Sequence, residues 1–261
     1  MDTLKKSKRC KNGTRKHKKT GNCEKYVLSI TKRCKNGTRK NKKTGNCDKI
    51  ELSKLSPLTN SNSNMNSMTK QRYDDIKLKY GGMSSWAIWA ESDKKIKSGM
   101  GDISFFENPT KETLDKLNPS VILVGLNISK KIPRTFGNFH PNYSSAQDYK
   151  TRYALKDTMF WGAYMTDIIK DFEELVAGNL MKYLNKNKSF EKENAETFEQ
   201  ELLDIGAENP IIIALGNDSY KILKRNFKNL NIYKVPHYSA FITKEKLRLE
   251  FEKLEENIND N

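Results

Sequence analysis

Past residue 118 the chain repeats one pattern. A short apolar, largely β-branched run meets a polar corner, and a stretch with apolar residues three and four apart follows. Residues 121–125 (VILVG) predict a first strand, with Asn118-Pro119 setting its start. Residues 159–166 (MFWGAYMT), 210–215 (PIIIAL) and 231–235 predict three more. Helical spacing appears at 73–80, 147–157, 198–205, 218–225 and 244–258, the last with Leu247, Phe251 and Leu254 on one face. Trp86 and Trp89 are spaced to share a helix face and are expected in the core. Unbroken apolar strands alternating with helices describe a parallel sheet covered on both faces. The expected fold is α/β, with three α/β/α layers around a mostly parallel four-stranded sheet.

Charge divides the 261-residue chain in two. Residues 1–56 hold 19 Lys+Arg against 4 Asp+Glu, a net of +15 out of +16 for the whole. The remainder is a nearly neutral body. The basic arm is a tandem repeat: residues 8–23 (KRCKNGTRKHKKTGNC) and 32–47 match at 15 of 16 positions, with a period of 24. Each copy is small, polar and rich in turn residues such as Asn12-Gly13, so a low-structure arm at 1–54 is expected. Residues 55–68, Ser/Asn-rich, read as a tether, and 69–261 as one domain. The arm suits a polyanion such as DNA; Lys8, Arg9, Arg15, Lys32, Arg33 and Arg39 are its candidate contacts.

All four cysteines, Cys10, Cys23, Cys34 and Cys47, lie in the repeat. Three chemistries are open to them: a shared zinc, one disulfide per copy, or free thiols. The spacing is wrong for a zinc knuckle, and a reducing compartment disfavours disulfides. No metal or other cofactor is expected. No apolar run approaches the roughly 20 residues of a membrane span, and the charged start does not read as a secretory signal. An intracellular monomer that does not enter membranes is expected.

Ligands of parallel sheets bind at the carboxyl ends of the strands. Those ends carry Leu126-Asn127-Ile128-Ser129, then Asp167 with Lys170 beyond, then Gly216-Asn217-Asp218-Ser219, then Pro236-His237-Tyr238-Ser239. As an ordered set, over about residues 80–245, they resemble the uracil-DNA glycosylase superfamily. Residues 125–129 (GLNIS) are similar to its first motif, Gly-x-Asn-Pro or Gly-x-Asp-Pro. Residues 236–239 (PHYS) are similar to its second, His-Pro-Ser. The resemblance implies that Asn127 orients the attacking water and that His237 stabilises the departing base. It places Gly125, Leu126, Phe139 and Asp167 around the base and Ser239 on a DNA phosphate. It also makes Phe241 a wedge for the vacated stack. Each has a plainer alternative: Ser239 as a backbone cap, Phe241 in the core, and Asp167 as a cap or partner of Lys170. His140, in the same loop as Phe139, lines the pocket or caps the loop. Ile128 and Tyr238 depart from the family's prolines. The family's iron–sulfur branches need four cysteines, and residues 57–261 contain none.

Base–sugar cleavage makes an oxocarbenium-like sugar and an anionic base, after the base leaves the stack. Asparagine is a poor base but can orient a water; a neutral imidazole can donate to the base. Asp167 is the difficulty, because an ionised carboxylate only accepts and would suit a base edge presenting donors. A repair glycosylase acting on uracil or another damaged base, on single- or double-stranded DNA, is therefore the leading expectation. A binding protein without turnover and a virion packaging protein compete with it. The arm resembles a basic cysteine module of large DNA viruses that replicate in the cytoplasm. That resemblance implies a viral source, and a location in the host cytoplasm or the virion.

Overall fold

The computed structural model describes residues 68–91, 96–130, 132–141, 143, 145–170 and 172–260, and the backbone of four short strands before them. The chain divides into two compact units, Met1–Asn62 and Ser63–Asn261.

In the first unit each repeat copy forms a two-stranded antiparallel hairpin. Strand β1 (Thr14–Lys16) pairs with β2 (Cys23–Lys25), and β3 (Thr38–Lys40) pairs with β4 (Cys47–Lys49). The registers are equivalent: Lys16 faces Cys23 in one and Lys40 faces Cys47 in the other. Where little structure was expected, nearly identical copies, with Glu24 in one strand where the other has Asp48, give equivalent short ladders. Lys8, Arg9, Lys32, Arg33, Cys10, Cys34 and the tether at 55–67 lie outside the described residues, as do the side chains of Arg15, Arg39, Cys23 and Cys47.

The second unit is built on a five-stranded mixed sheet, one strand more than the sequence suggested. Its strands are β5 (Ser85–Trp86), β6 (Asn118–Asn127), β7 (Ala163–Ile169), β8 (Ile211–Leu215) and β9 (Asn231–Val235). Their order is β5-β7-β6-β8-β9. The last four are mutually parallel, and β5 adds an antiparallel edge against β7. A two-residue strand leaves no period to read, which is why β5 was not legible. The tryptophans share no helix. Trp86 lies on β5, Trp89 follows it, and both are buried, against opposite faces of the sheet.

Side-chain alternation on the strands divides the core. Ile122, Val124, Tyr164, Ile212, Ala214 and Ile232 face one way. Helices α1 (Lys70–Tyr80), α4 (Ala177–Lys186), α5 (Lys188–Asp204) and α6 (Asn217–Asn226) cover that face. Val121, Leu123, Met165, Ile213 and Val235 face the other, under α3 (Tyr149–Leu155) and α7 (Lys244–Asn259). The short α2 (Lys111–Asp115) precedes β6. Each fully buried side chain of this size contributes roughly 1.5–3 kcal/mol. Thr69 caps α1 and Thr243 caps α7, each accepting from a backbone N–H three residues on, at 3.2 Å. Met68, assigned to the tether, is buried in this core.

The second parallel strand starts later than its apolar run suggests. Residues 159–162 form a turn, and Gly162 has φ +85. A Cβ there would stand 1.8 Å from the Lys116 carbonyl oxygen, so only glycine fits. The strand therefore begins at Ala163 and runs to Ile169, and Asp167 lies within it rather than at its end. No described helix is long and apolar enough to cross a membrane.

Candidate active site

At the carboxyl ends of the parallel strands a cleft of about 1050 Å³ opens. Leu126, Asn127, Phe139, Asp167, His237 and Ser239 all line it, though they come from two strands and two loops. A smaller pocket of about 210 Å³ shares none of its lining residues. Its Arg152 is engaged by the carbonyls of Ala90, Ser98 and Ile96.

Asn127 ends β6. Its amide nitrogen faces three carbonyl oxygens, those of Ile128 (3.1 Å), Phe172 (3.0 Å) and Glu174 (2.9 Å). Carbonyls only accept, so the NH2 group must face them. The carboxamide is thereby fixed, and Oδ1 remains as its free acceptor.

His237 follows β9. The Ser239 backbone N–H donates to its Nδ1 at 3.1 Å, and the Ser239 hydroxyl lies 2.7 Å from the same atom. A backbone N–H cannot accept, so Nδ1 is the bare nitrogen and Nε2 carries the hydrogen. Desolvation lowers the pKa to about 4, which keeps the ring neutral at physiological pH. The ring stacks on Tyr238, centroids 4.2 Å apart and planes 28° apart. The hydroxyl of Tyr238 bonds to Asp148, which is buried and has its pKa raised to about 6, chiefly by desolvation. Tyr238 thus supports the imidazole from below.

Gly125 and Asp167 are register partners on β6 and β7. A Cβ on Gly125 would stand 2.2 Å from Asp167 Oδ1 and 3.4 Å from the Phe139 ring. Absence of a side chain lets the carboxyl and the ring approach the strand. Asp167 is buried; its Oδ2 accepts from Asn138 Nδ2 at 2.9 Å, and burial is the first cause of a pKa raised to about 6. Lys170 is not its ion partner. That amine pairs with Glu201 at 2.6 Å, both fully buried.

Phe139 is held in the left-handed region, φ 63, which is costly for a bulky residue. Asn138 Oδ1 accepts from its N–H at 3.1 Å, Asn138 Nδ2 donates to the Met83 carbonyl, and Trp89 Nε1 donates to the Phe139 carbonyl at 3.3 Å. Its ring meets Tyr238 edge-on at 6.5 Å. His140 is fully buried beside Trp89 and Phe106, and its Nε2 meets the Trp86 carbonyl at 3.2 Å. Burial depresses its pKa to about 3. His140 does border the cleft, as its loop position suggested, but its ring is fully buried on the Trp86 carbonyl, so His237 is the more accessible imidazole there. Phe241 is fully exposed just beyond Ser239, not packed in the core. Among the described residues no cluster of His, Cys, Asp and Glu could hold a metal.

Sequence reasoning missed Asn138, Asp148 and the carbonyls at 172 and 174. Asn138 stands beside a candidate residue, but its partners are remote in sequence and only the fold brings them near. No model of a protein family matches the chain, and neither a curated protein nor a solved structure does.

Proposed function

We propose that the second unit is a DNA N-glycosylase of the uracil-DNA glycosylase type and that the basic arm supplies DNA affinity. One observation carries the reading: the Ser239 N–H fixes His237 as an Nε2–H donor, in the cleft that Asn127 also lines.

In this reading a base turned out of the stack lies against Phe139. Asn127 Oδ1 accepts from a water and aims it at the sugar carbon. As the base–sugar bond breaks, the electron pair leaves with the base, and His237 Nε2–H donates to the oxygen that gathers the charge. The donor is neutral, preorganised and largely out of water, where such a bond is most effective. The water adds to the sugar and loses its proton to solvent, the base anion takes one proton up from solvent, and the products are free base and an abasic strand. Ser239 acts through His237, since its hydroxyl faces that ring. Phe241, free of the core, is available as the wedge.

The kinetic split of two variants tests this. His237→Ala should lower base release from a uracil-containing single strand by about 10²–10³-fold, and Asn127→Ala by a comparable factor. Both should keep DNA affinity within about twofold, since phosphate contacts dominate binding. Release unaffected by either change would remove the cleft from the chemistry. No release from any of the chains, with binding intact, would favour the binding-protein reading.

A further inference from the structure

Asp167 is a buried carboxyl of the cleft that the glycosylase mechanism leaves unused, and its surroundings are unusual for a carboxylate. Among the described residues no cation pairs with it. From the end of its own strand, Lys170 turns to Glu201 of α5, with Thr166 and Tyr164 also on that glutamate. From the loop after β6 comes a single donor, Asn138 Nδ2, which it shares with the Met83 carbonyl. From β6 comes bare glycine backbone at Gly125. From the loop after β9 come neutral Tyr238, whose hydroxyl is engaged by Asp148, and neutral His237. Oδ2 is thus fixed as an acceptor, and Oδ1 has no hydrogen-bond partner among the described residues.

We propose that Asp167 binds the base as the protonated acid, with Oδ1–H donating and Oδ2 accepting, so that a carboxyl does the work of a carboxamide. This rests on the glycosylase reading and deepens it, by making Asp167 a specificity residue for uracil-type edges. Uracil presents N3–H beside O4, one donor and one acceptor. An ionised carboxylate satisfies the first and repels the second; the acid satisfies both. Among the described residues the site has no other free donor at Asp167, and burial already favours the proton, the carboxyl's pKa lying near 6. Binding uracil above that pH must therefore take up one proton from solvent.

Two measurements on the full chain decide it. The first is calorimetric binding of an oligonucleotide carrying one 2′-fluoro-2′-deoxyuridine, whose base–sugar bond resists hydrolysis. Measured at pH 7.5 in two buffers of different ionisation enthalpy, the wild type should take up close to one proton and Asp167→Asn none. The second is uracil release from pH 5 to 8.5 with the protein in excess over the strand but below its Kd, so that the rate reports the free enzyme. Wild-type release should fall about tenfold per unit above pH 6. The Asp167→Asn profile should be flat and exceed the wild type by about 30-fold at pH 7.5, the inverse of the protonated fraction for a pKa near 6. Asp148→Asn, which removes the other carboxyl titrating near 6, should leave the slope in place.

Binding without proton uptake, or a flat wild-type profile with release intact, would overturn the proposal and leave the glycosylase standing. Proton uptake without release at any pH would keep the proposal and sink hydrolysis. Neither uracil binding nor release in either chain would sink both.

Discussion

A methyl group at Gly125 would meet the Asp167 carboxylate and the Phe139 ring at once. Gly125→Ala should therefore destabilise the fold by about 1–3 kcal/mol, seen as a lower urea midpoint with an unchanged slope, and should also weaken uracil binding. An unchanged midpoint would mean that the carboxyl does not lie against the strand. Asp148 tests burial in the other direction. Folding raises its pKa from 3.8 to about 6, so folding favours its proton. The stability it allows is full below pH 3.8 and is lost as the pH climbs through about 6. Asp148→Asn keeps an acceptor for Tyr238 and removes the buried charge. It should be more stable than the wild type at pH 7.5, by on the order of 1–3 kcal/mol, with the gap closing below pH 4 in a pH series of thermal melts. At this scale the sequence shows Asn127 and His237, because both sit directly after apolar runs. It does not show what fixes them. The tautomer of His237 depends on a neighbour's N–H and the rotamer of Asn127 on carbonyls 45 and 47 residues away.

Among the elements, β6, β8 and β9 were legible because a buried parallel strand is a continuous apolar run bounded by polar corners. For β7 the same rule misplaced the start, since the apolar residues at 159–162 fill a turn whose glycine is demanded by the Lys116 carbonyl. Helix α4 was hidden behind Gly178 and Asn179, although Leu180 and Leu184 are buried at helical spacing. One side-chain network joins β7 to α5. Lys170 pairs with Glu201, and Tyr164 and Thr166 donate to the same carboxylate at 2.7 and 2.9 Å. Removing one member leaves the other charge buried and unpaired, so Glu201→Ala should cost about 3–5 kcal/mol. A double-mutant cycle with Lys170→Met checks this: the pair should be far less destabilised than the sum of the singles. Additivity would mean that the two charges are not coupled.

Over the whole molecule, 19 basic residues sit in the first 56 and a nearly neutral body follows. If the arm neutralises phosphates, the fall of log affinity with log salt should be steep, about 0.9 per phosphate contacted on duplex DNA. Deleting residues 1–56 should flatten that slope while single-turnover base release at saturating protein changes little. A slope unchanged by the deletion would take the arm out of the binding account. The charge division and the repeat were fully legible, since both are properties of composition and spacing. The convergence of Asn127, Asp167 and His237 was legible only as strand ends. It took the order β7-β6-β8-β9 to place them around one cleft.

The most direct test of the glycosylase reading is to look for the released base itself. Full-length protein, in excess over a single-stranded oligonucleotide with one uracil, would be sampled at pH 5.5 and 7.5 and the supernatant analysed for free uracil by mass. A glycosylase of this kind gives free uracil in a one-to-one ratio with abasic strand, faster at pH 5.5 when the protein is kept below its Kd for the strand. An intact oligonucleotide at both pH values, still bound by the protein, would contradict the glycosylase reading.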